Sequence, residues 1–228
     1  LQQPPENAVI LIQDSFTYCF DAPVIAAAAR SLKALGYQVI VPPPRQNGKG
    51  LHVKGMRQAF AEVSRANQAY FDRLAATGLP LVGVEAVVNL IGRSEAKAAA
   101  VAGWKIQSLQ EFLVSQPLPK RLSGQARLMP HCTEKTALPT MPSDWQAVFT
   151  ALGAELSVEQ TGCCGMSGVY GHEAKNRASS VKLFEMSWAD KQPVDALVTG
   201  FSCRCQVKSL AGARPQHPIE WLAERLEA

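Results

Sequence analysis

Thr161-Gly162-Cys163-Cys164-Gly165-Met166-Ser167-Gly168 sets two adjacent cysteines between glycines. Neighbouring Cα atoms lie about 3.8 Å apart, short of the roughly 4.4–6.8 Å of a relaxed disulfide. The pair is therefore poor material for a bond to itself. Two thiolates held side by side on a glycine-flexed loop suit the gripping of a metal or cluster, or thiol redox work. Upstream stands His131-Cys132 and downstream Cys203-Arg204-Cys205, so five of the six cysteines fall into three short sites.

Each site follows a stretch that reads as a strand: 126–129, 154–158 and 196–199. Helices are expected over 144–152, closed by Gly153, over 173–188 and over 219–226. Parallel strands joined by helical crossovers would send all three cysteine loops out of one edge of the sheet. That carboxyl edge is where open α/β sheets place ligands. Cys132, Cys163, Cys164 and Cys203 would gather there across gaps of 30 residues (133 to 162) and 38 residues (165 to 202).

The first half follows the same order. Strands are expected at 8–12, 37–41 and 79–84, with helices over 23–35, 55–76, 95–102 and 109–114. Ala34-Leu35-Gly36 recurs as Ala151-Leu152-Gly153, an offset of 117 (151 less 34). The same offset sets Asp14-Ser15 on His131-Cys132 and Gln46-Asn47-Gly48 on Cys163-Cys164-Gly165; later it slips by one or two, and Val87 or Val88 falls on Cys203. Glu111-Phe112-Leu113 rhymes with Glu220-Trp221-Leu222. The fold class is thus α/β, two tandem pseudo-repeats, each a small mostly parallel sheet flanked by helices. Residues 115–124 read as a linker. The expected domains are 1–118, a degenerate repeat without cysteine ligands, and 119–228, an intact repeat with the cysteine cluster.

The bulk numbers agree with a cored, unanchored chain. Apolar residues make up 47% of 228, and no apolar run approaches a bilayer span. A net charge of +4 without a basic stripe argues against nucleic acid. No signal peptide is visible in the polar, proline-rich opening 1–7, so the cysteines read as reduced thiols or ligands. The opening lacks Met and is linker-like, as in a piece of a longer polypeptide. Cys19, outside the shared register, is expected to be a buried free thiol acting as a small apolar side chain. His131 is either a ligand, a donor behind the ligands or a cap on loop backbone. His172 and His217 read as helix starts.

Cys132, Cys163-Cys164-Gly165 and Cys203 resemble the cysteine-rich CCG domain, found in heterodisulfide reductases, anaerobic glycerol-3-phosphate dehydrogenases and the iron–sulfur components of glycolate oxidase and lactate-utilisation systems. Gly162-Cys-Cys-Gly-Met-Ser-Gly-Val-Tyr-Gly-His-Glu173, Gly200-Phe-Ser-Cys-Arg-Cys-Gln206 and His217-Pro-Ile-Glu220 resemble the C-terminal end of long FAD-linked oxidases of the D-lactate or D-2-hydroxyglutarate dehydrogenase type. The family usually closes with Cys-x-x-Cys; here Gly200 stands at the first of those positions.

The resemblance implies an iron–sulfur, electron-transfer module of an FAD-linked 2-hydroxy acid dehydrogenase, with a 4Fe-4S type cluster. Its metal ligands would be Cys132, Cys163, Cys164, Cys203 and Cys205, with His131, Gly162 and Gly165 lining them. FAD would sit on a domain outside this chain. The partners would be flavin and ferredoxin-like domains of the same polypeptide or complex, with an electron acceptor and no transmembrane segment. The expected location is the cytoplasm or the inner face of the membrane. The rival reading is a zinc-binding or metal-free docking module of the same enzyme. Direct thiol–disulfide chemistry at the vicinal pair lacks a resolving cysteine at the familiar two-residue spacing.

Overall fold

The computed structural model describes residues 7–119 and 121–227; the proline-rich opening through residue 6 lies outside them. The chain divides into two units, Leu1–Phe112 and Leu113–Ala228.

In the first unit β1 (Ala8–Ile12) is buried at every residue, as an apolar run in the middle of a parallel sheet should be. It pairs in parallel with β2 (Gln38–Ile40) and β3 (Leu81–Gly83), and β3 pairs with β4 (Gln107–Ser108), giving the order β2-β1-β3-β4. The helices are α1 (Ser15–Phe20), α2 (Ala22–Ala34), α3 (Lys49–Val53) and α4 (Arg57–Ala75). Next come α5 (Ala86–Leu90), a π turn at Ile91–Glu95, α6 (Ala96–Ala98) and α7 (Leu109–Leu113). The helix expected over 95–102 begins nine residues sooner, at Ala86 (95 less 86). Its first residues, Ala-Val-Val-Asn-Leu, have the β-branched apolar look of a strand, which hides a helix start. Asn89, fully buried, shows what tertiary context does with that segment: it donates to Gly83 O and Ser108 Oγ at the ends of β3 and β4.

The second unit has β5 (Gln125–Met129) between β6 (Glu155–Val158) and β7 (Leu197–Val198), all parallel, in the order β6-β5-β7. Its helices are α8 (Cys132–Ala137), α9 (Met141–Leu152), α10 (Arg177–Glu185), α11 (Phe201–Ala211) and α12 (Pro218–Leu226). Gly153 ends α9 at φ 102, the left-handed cap that glycine allows. His217 begins α12 with a capping box: its Nδ1 accepts from Ile219 N at 3.1 Å, and Glu220 accepts from His217 N at 2.7 Å.

The pairings fix the internal repeat. Leu11 faces Val82 in the first sheet and Leu128 faces Leu197 in the second. With Leu11 matched to Leu128 by the 117 offset, Val82 matches Leu197, an offset of 115 (197 less 82). Val88, not Val87, is then the counterpart of Cys203, and Glu85 that of Gly200. Each sheet is an α/β layer of the same order around its first strand. Among the described residues, no helix is long and apolar enough to cross a membrane.

Candidate thiol centre

Because β5, β6 and β7 run parallel, whatever follows each of them emerges at one edge. Cys132 is the first residue of α8, directly after β5; Cys163 and Cys164 lie in the loop after β6; Cys203 is the third residue of α11, after β7. Two of the three expected loops are therefore helix N-termini. The unpaired amides of a first helical turn favour a thiolate over a thiol, so this placement suits sulfur chemistry better than open loops would.

The four thiols meet. Cys132 and Cys163 share a side-chain hydrogen bond, as do Cys163 and Cys164, and Cys164 and Cys203. Cys203 is also close enough to Cys132 for their charges to interact. Cys164 and Cys203 are buried at 2% and 1% exposure, whereas Cys132 and Cys163 are half-buried, so the group runs from the core to the surface. Hydrogen bonds from Cys132 and Cys164 hold the Cys163 thiol far below the usual thiol range, helped by the Gly165 amide, 3.4 Å from Cys163 Sγ, and by the nearby His131. The same bonds push Cys132 and Cys164 upward, with burial adding to both. Of these three thiols, Cys163 is the one whose surroundings favour the thiolate.

The loop that carries the pair is held on both sides. Gly165 adopts φ +87, and a Cβ there would stand 2.1 Å from the Ser180 carbonyl oxygen. Trp188 Nε1 donates to Gly162 O at 3.1 Å, and the Gly162 amide donates to Ser187 Oγ. Lys135, one turn after Cys132, donates through Nζ to the Thr161 carbonyl and to Thr161 Oγ1. Burial lowers the pKa of Lys135 while the charges of Cys132 and Cys203 oppose that shift, which puts a cation beside the sulfurs. Lys135 is a site residue that the sequence pattern does not single out. Its one signal is a basic residue three positions after the first cysteine, on the same face of a short helix.

His131 is buried at 6% exposure; its amide donates to Thr199 Oγ1 at 3.0 Å, and its Nε2 lies 3.4 Å from Ser202 Oγ. It is the N-cap residue of α8, without a side-chain bond to that helix's first amides. Cys205 is half-exposed and two residues beyond Cys203, about 200° around the helix. Cys19 is a correction: it lies on α1 and is exposed, not buried. The short α1 leaves Tyr18, Cys19 and Phe20 on its outer side. His172 closes a 3₁₀ turn, Tyr170–His172, ahead of α10.

The chemistry of the donor set fits a thiolate-bound group: four sulfurs from three chain segments, glycine-lined on one side and partly open on the other. Their contacts form a chain, and among the described residues no three His, Cys, Asp or Glu side chains are grouped so that they could hold a metal ion. A preformed cage for a single ion is not what the thiols make.

At the matching place in the first unit the space is filled. Ser15 Oγ donates to Arg45 O at 3.2 Å, Asn67 Nδ2 donates to Gln46 O at 2.8 Å, and Asn47 Oδ1 accepts from Lys49 N at 2.8 Å. Arg45 donates to Asn67 Oδ1 at 3.1 Å and lies 4.6 Å over the Tyr70 ring. The cavity left among Gln46, Asn47, Asn67, Val88 and Trp104 is about 10 Å³, room for about one water.

Residues 128–208 match the family described as CCG, cysteine-rich domain. The chain is 42% identical over 222 residues to D-2-hydroxyglutarate dehydrogenase of Pseudomonas putida, covering 94% of this chain. It is 39% identical over 230 residues to the enzyme of that name from Escherichia coli, and 35% identical over 241 residues to that from Haemophilus influenzae. The aligned stretch covers 96% of this chain in the first case and 97% in the second. It spans 22–23% of the length of these relatives. A crystal structure of a hypothetical protein from Helicobacter pylori superposes with a TM-score of 0.62 over 99% of this chain and 50% of that one, at 12% identity; it shares the fold. Residues 128–208 thus match the cysteine-rich CCG family, within a chain similar along nearly all its length to part of the D-2-hydroxyglutarate dehydrogenases.

Proposed function

We propose that this chain is an electron-transfer module of an FAD-linked 2-hydroxy acid dehydrogenase, D-2-hydroxyglutarate being the substrate class its relatives' names suggest. Cys132, Cys163, Cys164 and Cys203 would hold an iron–sulfur cluster of the 4Fe-4S type. The observation that carries this reading is the mutual contact of four thiols drawn from three strand ends. A cluster bound there would pass single electrons; the flavin and the hydroxy acid would be bound by parts of the enzyme outside this chain.

What this chain's own residues do follows from their places. Buried Cys164 and Cys203 anchor the group in the core formed with Met129, Met166, Trp188 and Val198. Half-buried Cys132 and Cys163 face the open side, where an electron partner can approach. Lys135 places positive charge beside thiolates whose negative charge would otherwise repel, and ties the Cys163 loop to α8. Cys205, half-exposed, packs against the apolar cluster that holds Cys164 and Cys203 and would be a further candidate ligand from α11. The first unit, with its polar network and 10 Å³ cavity, would be the degenerate copy without a cluster.

The test is an iron and acid-labile sulfide count on the intact enzyme purified without oxygen, wild type against Cys203→Ser. The variant should fall short by the iron of one cluster, about four atoms for a 4Fe-4S group. Equal counts, with the four thiols titrating freely in the wild type, would overturn the reading.

A further inference from the structure

We propose that Thr199 is a positioning residue of the sulfur centre: its one hydroxyl ties the segment that carries Cys132 to the segment that carries Cys203 and sets the spacing of the two thiols. The inference rests on the iron–sulfur reading above and names a residue outside the cysteine set.

Thr199 directly follows β7 and is buried. Its Oγ1 accepts from the His131 amide at 3.0 Å and donates to Glu134 Oε2, which is also buried. A hydroxyl has a single proton to give, so the direction of both bonds is fixed. The two partners stand on either side of Cys132, one residue before it and two after. The main chain of Thr199 is held from the other side: Arg204 Nη1 donates to Thr199 O at 2.7 Å and to Val198 O at 3.0 Å, and Arg204 is the residue after Cys203. One residue is thus bonded to the sequence neighbours of both cysteines. The helix caps meet as well. A Cβ built on Gly200, the N-cap of α11, would stand 2.3 Å from Cδ2 of His131, the N-cap of α8. Sliding α8 against α11, which would change the distance between Cys132 and Cys203, breaks the hydroxyl's bonds.

The first unit shows that the fold closes without this tie. By the offsets of 117 and 115 its counterparts are Asp14 for His131, Thr17 for Glu134, Val84 for Thr199 and Asn89 for Arg204. Asn89 Nδ2 donates to Gly83 O at 3.1 Å, the counterpart of the bond from Arg204 to Val198 O, so that bond is common to the two copies. Val84 has no hydroxyl to offer, and Thr17 Oγ1 turns to Asp14 Oδ2 at 2.6 Å, within its own helix start. The tie from the first helix to the third strand belongs to the copy with the cysteines.

The test uses the intact enzyme, purified without oxygen, as wild type, Thr199→Val, Thr199→Ser and Cys203→Ser. Subtracting the electron-spin spectrum of reduced Cys203→Ser from each of the others isolates the signal of this centre. Its midpoint potential, and the rate at which a chelator removes its iron, are read on the same samples. Thr199→Val takes the hydroxyl from the His131 amide and the Glu134 carboxyl. It should change the g values, shift the potential and speed iron release about tenfold, the weight of one buried hydrogen bond. Thr199→Ser keeps the hydroxyl and should return all three readings to wild type. Iron-free Thr199→Val should still fold, judged by its thermal melt, as the first unit does with valine at that place. Failure to fold would assign the bond to the scaffold and overturn the proposal, as would a serine variant that behaves like the valine one. A wild-type signal and potential in Thr199→Val, with iron lost in Cys203→Ser, would overturn it and leave the iron–sulfur reading intact. No iron lost in Cys203→Ser would overturn both.

Discussion

The two units are built on one plan and differ in what they do with the same edge of the sheet. Both place the first strand between the second and third, both put a left-handed glycine after the equivalent second loop (Gly48 at φ 80, Gly165 at φ 87), and both start a helix two or three residues after the first strand. In the first, Ser15, Gln46, Asn47 and Val88 fill the edge with hydrogen bonds and apolar packing. In the second, Cys132, Cys163, Cys164 and Cys203 leave it lined with sulfur. The lesson is that the scaffold does not need the sulfur site in order to fold; a polar network satisfies the same strand ends. Under the iron–sulfur reading, the cysteines at all four positions of one copy answer to chemistry as well as to packing, since Cys164 and Cys203 also sit in the apolar core.

That comparison can be broken most directly at its centre. Cys164→Ser should abolish cluster binding, measured as iron and sulfide per chain, while Asn47→Ser at the matching place should leave both counts unchanged. If Asn47→Ser removed iron as Cys164→Ser does, the copies would not be a loaded and an unloaded site.

The paired glycines sharpen it next. Gly165→Ala combines a left-handed φ with a contact to fixed backbone, and should cost about 3 kcal/mol in denaturant unfolding. Gly48→Ala meets ring and methyl atoms of Phe60 and Val63 at 3.1–3.3 Å, which can yield, and should cost about 1 kcal/mol. Equal costs would mean that the second loop is no more tightly packed than the first.

Lys135→Met should follow, losing a charged hydrogen bond to Thr161 and about 1–2 kcal/mol, and exposing Cys163 to faster alkylation. An unchanged alkylation rate would show that Lys135 does not hold the loop.

The smallest expected effect is on pH, and it has opposite sign in the two units. Burial holds the His217 pKa well below its usual value, with Arg204 and Arg214 adding to the effect. Its unfolded form takes a proton near pH 6.5 and the folded form does not, so stability is full above that pH and falls as pH drops below it. Asp14 is raised by burial; its contribution is full below the usual carboxylate range and is lost as pH rises through its higher folded pKa. On acidification the second unit should weaken and the first gain. Hydrogen exchange of Val198 against Leu11, followed from pH 7 down to the ordinary carboxylate range near pH 4, reads both, and a shift of the same sign in the two would contradict the assignment.

Much of this is legible in the sequence because the signals are local or periodic. The apolar run 8–12 announces a parallel strand, the 117 offset announces the repeat that carries it to 126–129, and strand-end placement announces that four thiols meet. What stays hidden depends on contacts across space. The helix α11 is unreadable because Phe-Ser-Cys-Arg-Cys-Gln has no apolar period; it forms because Arg204, buried, donates to the carbonyls of Val198 and Thr199 and Gln206 to Ser180. The fit between His131 and Gly200 joins residues 69 positions apart (200 less 131), and neither residue alone carries a sign of it. Cys19 defeats the reading because a lone cysteine outside any pattern has only composition to speak for it.

The central claim is that sulfur from three strand ends holds one iron–sulfur group. It is tested most directly by ⁵⁷Fe Mössbauer spectra of the intact enzyme prepared without oxygen, wild type minus the variant with Cys132, Cys163, Cys164 and Cys203 all changed to serine. The difference should contain one iron–sulfur component with thiolate ligation. Superimposable spectra from two folded proteins would contradict it.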